Sequence, residues 1–308
     1  MTKIIARVLS VFLLFFVGCE KDKYGSESVR VTNQGSGSVI ERGYVEIPEG
    51  QMHYRTIGNG PVVMLLHQVV RSSDEYRRVM PVLAEKYKVI AVDVLGFGES
   101  VKPARPYTIP DHGKSLISFL DAMGIERVSL VGHHTGAKLA VELAATHPER
   151  VDKMVLSALP YGYIMKEDDP MPEVFRPMVV KEDGSHLDRI WDEQSDTSVD
   201  KQASLDVRYE IALEYLKAGP RGEEGHYAAK HYSRLIDERL RKIPDSIKSS
   251  TLLLYGREDK WIEGLDALKK LMPQSSIFII EGVGTSTDMI RRSPQKFARA
   301  VLDFLSQP

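Results

Sequence analysis

Short apolar runs separated by amphipathic stretches recur along most of the chain. Residues 43–48 and 51–58 alternate in polarity around Glu49-Gly50 and predict a β-hairpin. Apolar runs at 62–67, 88–93, 128–132 and 154–158 predict buried strands, and 251–255 and 277–280 predict two more. Between them, Ile109, Gly113, Leu116, Ile117, Leu120 and Met123 fall on one face of a helix, as do Ala137, Ala140, Val141 and Ala144. A last helix opens with Ser293 as a cap and Pro294 in the first turn, and carries Phe297, Ala300, Val301, Phe304 and Leu305 on one side. Strands alternating with helices predict an α/β fold, a mostly parallel sheet flanked by helices on both faces. Residues 161–245 break the rhythm with Pro170, Pro172, Pro177 and then helical segments. An insertion there, between two strands and over their C-terminal ends, predicts a helical lid. Its aromatics, Tyr161, Tyr163, Trp191, Tyr215, Tyr227 and Tyr232, are expected to form the lid core, with some at a pocket mouth. The core is then 43–160 together with 246–308.

Composition narrows the function classes. With 43% apolar and 27% charged residues the chain is globular. A net charge of −2 with no block of like charge argues against a nucleic-acid surface. A single cysteine excludes a disulfide framework and a cysteine-rich metal site. That cysteine, Cys19, closes a targeting-like segment. Lys3 and Arg7 precede an apolar run over 8–17, broken only by Ser10, short of the ~20 residues that span a bilayer. The ending Phe16-Val17-Gly18-Cys19 resembles a bacterial lipoprotein signal. The resemblance implies a signal peptide at 1–18, a lipidated (palmitate-bearing) Cys19 and anchorage to a membrane of the bacterial cell envelope. The polar, Gly- and Ser-rich residues 19–42 then form a flexible tether.

Four motifs carry the candidate chemistry. The run 128–131 leads into Gly132-His133-His134-Thr135-Gly136 and a small-residue helix. Upstream stand Leu65-Leu66-His67 and Asp93-Val94-Leu95-Gly96-Phe97-Gly98-Glu99-Ser100; downstream stands Tyr255-Gly256-Arg257-Glu258-Asp259. In order and spacing these resemble the nucleophile elbow, the oxyanion strand, the D-x-x-G-x-G-x-S loop and the acid-bearing segment of the α/β-hydrolase fold, in the style of lidded esterases, epoxide hydrolases and haloalkane dehalogenases. The resemblance covers residues 43–307.

The departures decide what to expect of the site. The elbow centre, Ser, Cys or Asp in that family, is His134. Thr285 stands where the family's catalytic histidine follows the last strand, and the oxyanion strand ends His67-Gln68 rather than His-Gly. The acid position keeps Asp259, which reads equally as a helix-cap aspartate. One imidazole is added on the nucleophile side and one removed on the base side, so His134 is expected to reach Asp259 as a dyad that activates water or abstracts a proton. The backbone N–H groups of Gln68 and Thr135 are the expected oxyanion hole. His226 and His231 are five apart and do not share a helix face as metal ligands would, so no metal and no cofactor is expected. The resemblance implies a hydrolase, or a lyase, acting on a small ester- or carbonyl-like molecule. Loss of both the family nucleophile and base leaves open a non-catalytic ligand-binding or interaction protein that keeps the fold.

Overall fold

The apolar runs assemble into one eight-stranded sheet. The computed structural model describes residues 39–161, 178–195, 205–230, 236–246, 250–283 and 286–307. Its strands are β1 (Glu41–Ile47), β2 (Gly50–Ile57), β3 (Val62–Leu66), β4 (Lys88–Val92), β5 (Val128–His133), β6 (Val151–Ser157), β7 (Thr251–Gly256) and β8 (Ser276–Ile280). They stand in the order β1-β2-β4-β3-β5-β6-β7-β8. β1 and β2 form the expected hairpin and β2 runs antiparallel to β4; every later pairing is parallel. The parallel strands read as nearly unbroken Val, Leu, Ile and Met because helices cover both faces. The rim is different: on edge strand β8, Ile277 and Phe278 stay partly in solvent.

The helices are α1 (Met80–Leu83), α2 (Ile109–Ala122), α3 (Thr135–Thr146), α4 (Ser185–Ser195), α5 (Leu205–Ala218), α6 (Gly222–Lys230), α7 (Ile236–Ser246), α8 (Leu265–Leu271), α9 (Ser286–Arg291) and α10 (Pro294–Leu305). Thr108 and Asp111 start α2 with a reciprocal capping box, and its buried stripe includes Ile109, Gly113, Leu116 and Leu120. α2 packs on α3, and α1 on α10. Ser293 stands at the N-cap of α10 but makes no side-chain cap bond, so Pro294 and the apolar stripe fix that end. Among the described residues no helix is long and apolar enough to cross a membrane.

Two features of this topology place the site. The chain leaves β3 toward β4 on one side, while β5 joins β3 on the other. Such a reversal opens a crevice at the C-terminal strand ends, and the segments after β3 and β5 start there. The stretch between β6 and β7 supplies α4 to α7. α5 and α6 dock on the loops following β3 and β4: the Arg71 guanidinium lies 5.1 Å from the Tyr215 ring centre, and Gly225 lies against the Phe97 ring. α7 instead packs along α3, where Arg239 donates to Glu142 at 2.8 Å. The end of the stretch expected as lid thus lies on the core, because α3 offers it a packing face and a buried carboxylate. Cys19, Tyr163, His231, Tyr232 and Thr285 lie outside the described residues.

Candidate active site

The elbow is built by two glycines. β5 ends at His133 and α3 begins at Thr135, so His134 alone turns the chain, with φ 52° and ψ −107°. A non-glycine residue there costs about 1–3 kcal/mol and persists only where its surroundings force it. A Cβ added at Gly132 would sit 2.3 Å from the Gly136 carbonyl oxygen; one at Gly136 would sit 1.9 Å from that of Leu66. No side chain fits at either place. The His134 N–H donates to the Ser157 carbonyl at 2.9 Å, which ties the turn to β6. The His134 ring is half-buried. Its Nδ1 lies 3.3 Å from the Thr135 hydroxyl, and it meets the Trp261 indole edge-on with ring centres 5.6 Å apart.

Asp259 follows β7 and is buried. It acts as a cap, accepting from the Trp261 N–H at 2.8 Å at the start of a 3₁₀ turn, Lys260–Gly264. Trp261 therefore touches both expected partners: its N–H holds the Asp259 carboxylate and its indole faces the His134 ring.

On the β3 side, His67 is fully buried. Its Nε2 accepts from the Val94 N–H at 3.1 Å, which leaves Nδ1 to donate to the Gln68 carbonyl at 2.8 Å. Burial lowers its affinity for a proton and keeps it neutral. The expectation for Gln68 needs correction. Its N–H donates to Glu75 Oε2 at 3.1 Å, and a donor already committed to a carboxylate is not presented to an oxyanion. Thr135 differs: it is the first residue of α3, and no intrahelical acceptor faces such an N–H.

Glu75 was not singled out from sequence. Its other oxygen accepts from His133 Nδ1 at 2.8 Å, with both side chains wholly buried. Burial alone would push the carboxyl up; His133, Arg291 and the Gln68 N–H reverse this and hold it at about 2. The spacing Ser72-x-x-Glu75 was the available signal. It marks a helical start, and Ser72 does accept from the Asp74 N–H there, at 3.3 Å. Nothing in the run from Arg71 to Arg78 foretells burial. Asp93 anchors the same turn, accepting from the Ser73 N–H at 2.6 Å, the Glu99 N–H at 2.8 Å and His53 Nδ1 at 2.9 Å. These donors hold it well below the usual carboxylate range against the cost of burial. Gly98 must be glycine because a Cβ would meet Asp93 Oδ2 at 2.1 Å. The Asp93 loop is thus a structural hub. Among the described residues no group of three His, Cys, Asp or Glu side chains converges as a metal site would.

Comparison with known proteins agrees with this fold. A family model described as alpha/beta hydrolase fold matches residues 61–285. The chain is 27% identical over 289 residues to a 2-hydroxy-6-oxo-6-(2'-aminophenyl)hexa-2,4-dienoic acid hydrolase of Metapseudomonas resinovorans, covering 92% of this chain and 96% of that one. It is 39% identical over 112 residues to a haloalkane dehalogenase of Mesorhizobium japonicum, 36% of each chain. The crystal structure of a bromoperoxidase from Bacillus anthracis superposes with a TM-score of 0.71 at 21% identity, over 87% of this chain and 100% of that one.

Proposed function

The chain belongs to the alpha/beta hydrolase fold family, and we propose that it hydrolyses a small ester- or carbonyl-like molecule with His134 as the general base and Asp259 as its acidic partner. His134 takes a proton from water as the water oxygen attacks the carbonyl carbon. The carbonyl electrons move onto oxygen, which the Thr135 N–H stabilises at the positive end of α3. When the intermediate collapses, the bond to the leaving oxygen breaks and the imidazolium returns the proton to it. The Asp259 carboxylate favours the imidazolium formed midway. The observation that carries this reading is the shared neighbour: Trp261 is held by Asp259 through its N–H and faces His134 with its ring.

One observation favours a second reading. Glu75 occupies the Gln68 N–H, so half of the expected oxyanion hole is filled by the protein's own carboxylate. A ligand-binding protein that has given up turnover fits that arrangement. A screen of aryl esters, lactones, epoxides and the 2-hydroxy-6-oxo-dienoic acids named for the first relative separates the two. Turnover of any class above the buffer rate supports the hydrolase; saturable binding without turnover supports the binding protein.

We propose further that Cys19 carries a lipid and that residues 20–42 tether the domain to a membrane of the cell envelope. A palmitate analogue should label the wild type, and Cys19→Ser should lose the label and leave the membrane fraction. Membrane association without label would remove the lipoprotein reading.

A further inference from the structure

Helix α5 buries a carboxylate within its inward stripe of Val207, Ile211, Glu214 and Ala218. Its exposed side carries Leu205, Tyr209, Leu213 and Leu216, the first two 67% and 59% exposed, while Glu214 faces inward at 3%. A surface helix ordinarily buries its apolar stripe. Here a charged group sits inside that stripe. Glu214 Oε1 accepts from the Ser72 N–H at 3.1 Å and from the Ser72 hydroxyl at 2.8 Å, and Oε2 accepts from Arg291 Nη2. Arg291, wholly buried on α9, also donates from Nη1 to Glu210 at 2.8 Å. Glu210, one turn back on α5, accepts in addition from Arg77 at 2.9 Å and from Arg78 at 2.7 Å. Arg71 completes the grip over the Tyr215 ring. Every one of these contacts fastens α5 to residues 71–78 or to α9.

Residues 71–78 are also the segment that carries Glu75. Ser72 starts the 3₁₀ turn Ser73–Tyr76, and the Glu75 carboxylate within it holds the Gln68 N–H and the ring of His133, the neighbour of His134. An unbroken chain of short contacts thus runs from α5 through Glu214, Ser72 and Glu75 to both sides of the elbow. Buried ion pairs seldom beat apolar packing for stability alone. A clamp that buries Glu214 among Val207, Ile211 and Ala218 is better explained by the geometry it specifies.

We propose that Glu214 and Arg291 are positioning residues that hold Glu75 on the Gln68 N–H and on His133, so that the seating of α5 sets the state of the oxyanion segment. This rests on the reading of the elbow as the reaction centre, but its test does not use turnover. Glu214 touches Ser72 and not Gln68, so exchange of the Gln68 amide proton reports the coupling.

Amide hydrogen exchange on the full chain should compare wild type with Glu214→Ala and Arg291→Met. The expected result is at least tenfold faster exchange at both Ser72 and Gln68, with protection in β5 and β6 unchanged. Faster exchange at Ser72 with Gln68 at the wild-type rate overturns the proposal. If either variant fails to fold, Glu214→Gln withdraws the charge that faces Ser72 and Arg291 while leaving the Ser72–Asp74 cap bond in place, and Gln68 should still exchange several-fold faster; an unchanged Gln68 there also overturns it. Either outcome stands whether or not the protein proves to be a hydrolase.

Discussion

Beneath the elbow lies Glu75, and under α5 lies Glu214. Both are nearly inaccessible, at 1% and 3% exposure. They titrate in opposite directions: Glu75 is held at about 2, while Glu214 is pushed up to about 7. Burial raises both, so the difference lies in the neighbours. Glu75 has a histidine of its own and a backbone N–H. Glu214 accepts from Ser72 and draws on Arg291 and Arg71, but Arg291 serves Glu210 as well, and the Glu75 charge repels it. One cation shared among carboxylates compensates burial less well than a dedicated partner. The carboxylate on the elbow side is therefore held charged, while within the clamp Glu214 alone is pushed up to about 7 and Glu210 and Arg291 are shifted toward their charged forms.

Removing the shared cation should break the comparison most severely. Arg291→Met leaves the buried Glu214 and the half-buried Glu210 without their common partner. Urea denaturation should show a loss of about 3–5 kcal/mol at pH 8, the cost of breaking a buried ion pair from one side. The loss should shrink at pH 5, where Glu214 takes up a proton and needs no cation.

The next effect sharpens the contrast by its sign. Glu214 has a folded pKa above its unfolded value, so its contribution is fully present below about pH 4.5 and is lost as pH rises through about 7. Glu75 is the reverse: its contribution is present above about 4.5 and is lost as pH falls toward 2. Glu214→Gln should therefore remove a fall in stability of roughly 2 kcal/mol between pH 5 and pH 8 and leave the acid limb unchanged. Equal slopes in wild type and variant over that interval would contradict the assignment.

The smallest effect is expected on the outer face of α5. Leu205 stands outside both the clamp and the buried stripe of α5, so Leu205→Gln should change stability by no more than about 0.5 kcal/mol. A loss above about 2 kcal/mol would mean that Leu205 is a packing residue.

The fold and the elbow could be read from sequence because their signals are local. A buried parallel strand needs an apolar run, as in Val62–Leu66, and a strained turn between packed backbones needs Gly132 and Gly136. The clamp could not be read that way. Ser72 and Glu214 are 142 positions apart and Glu214 and Arg291 are 77 apart, and each sits among charges that read as a solvated surface. The Gln68 N–H was expected to face a substrate because its family position suggested so. Its acceptor, seven residues on, is a carboxylate whose burial depends on His133 and Arg291 from distant elements.

The most direct test of the hydrolase reading is kcat/KM on the best substrate of the screen, measured against pH for wild type, Asp259→Asn and His134→Ala. The account predicts that wild-type activity rises with pH as the imidazole gives up its proton. His134→Ala should lose about 100- to 10,000-fold, the range of a general base, and Asp259→Asn should lose less. Wild-type activity in His134→Ala would contradict it.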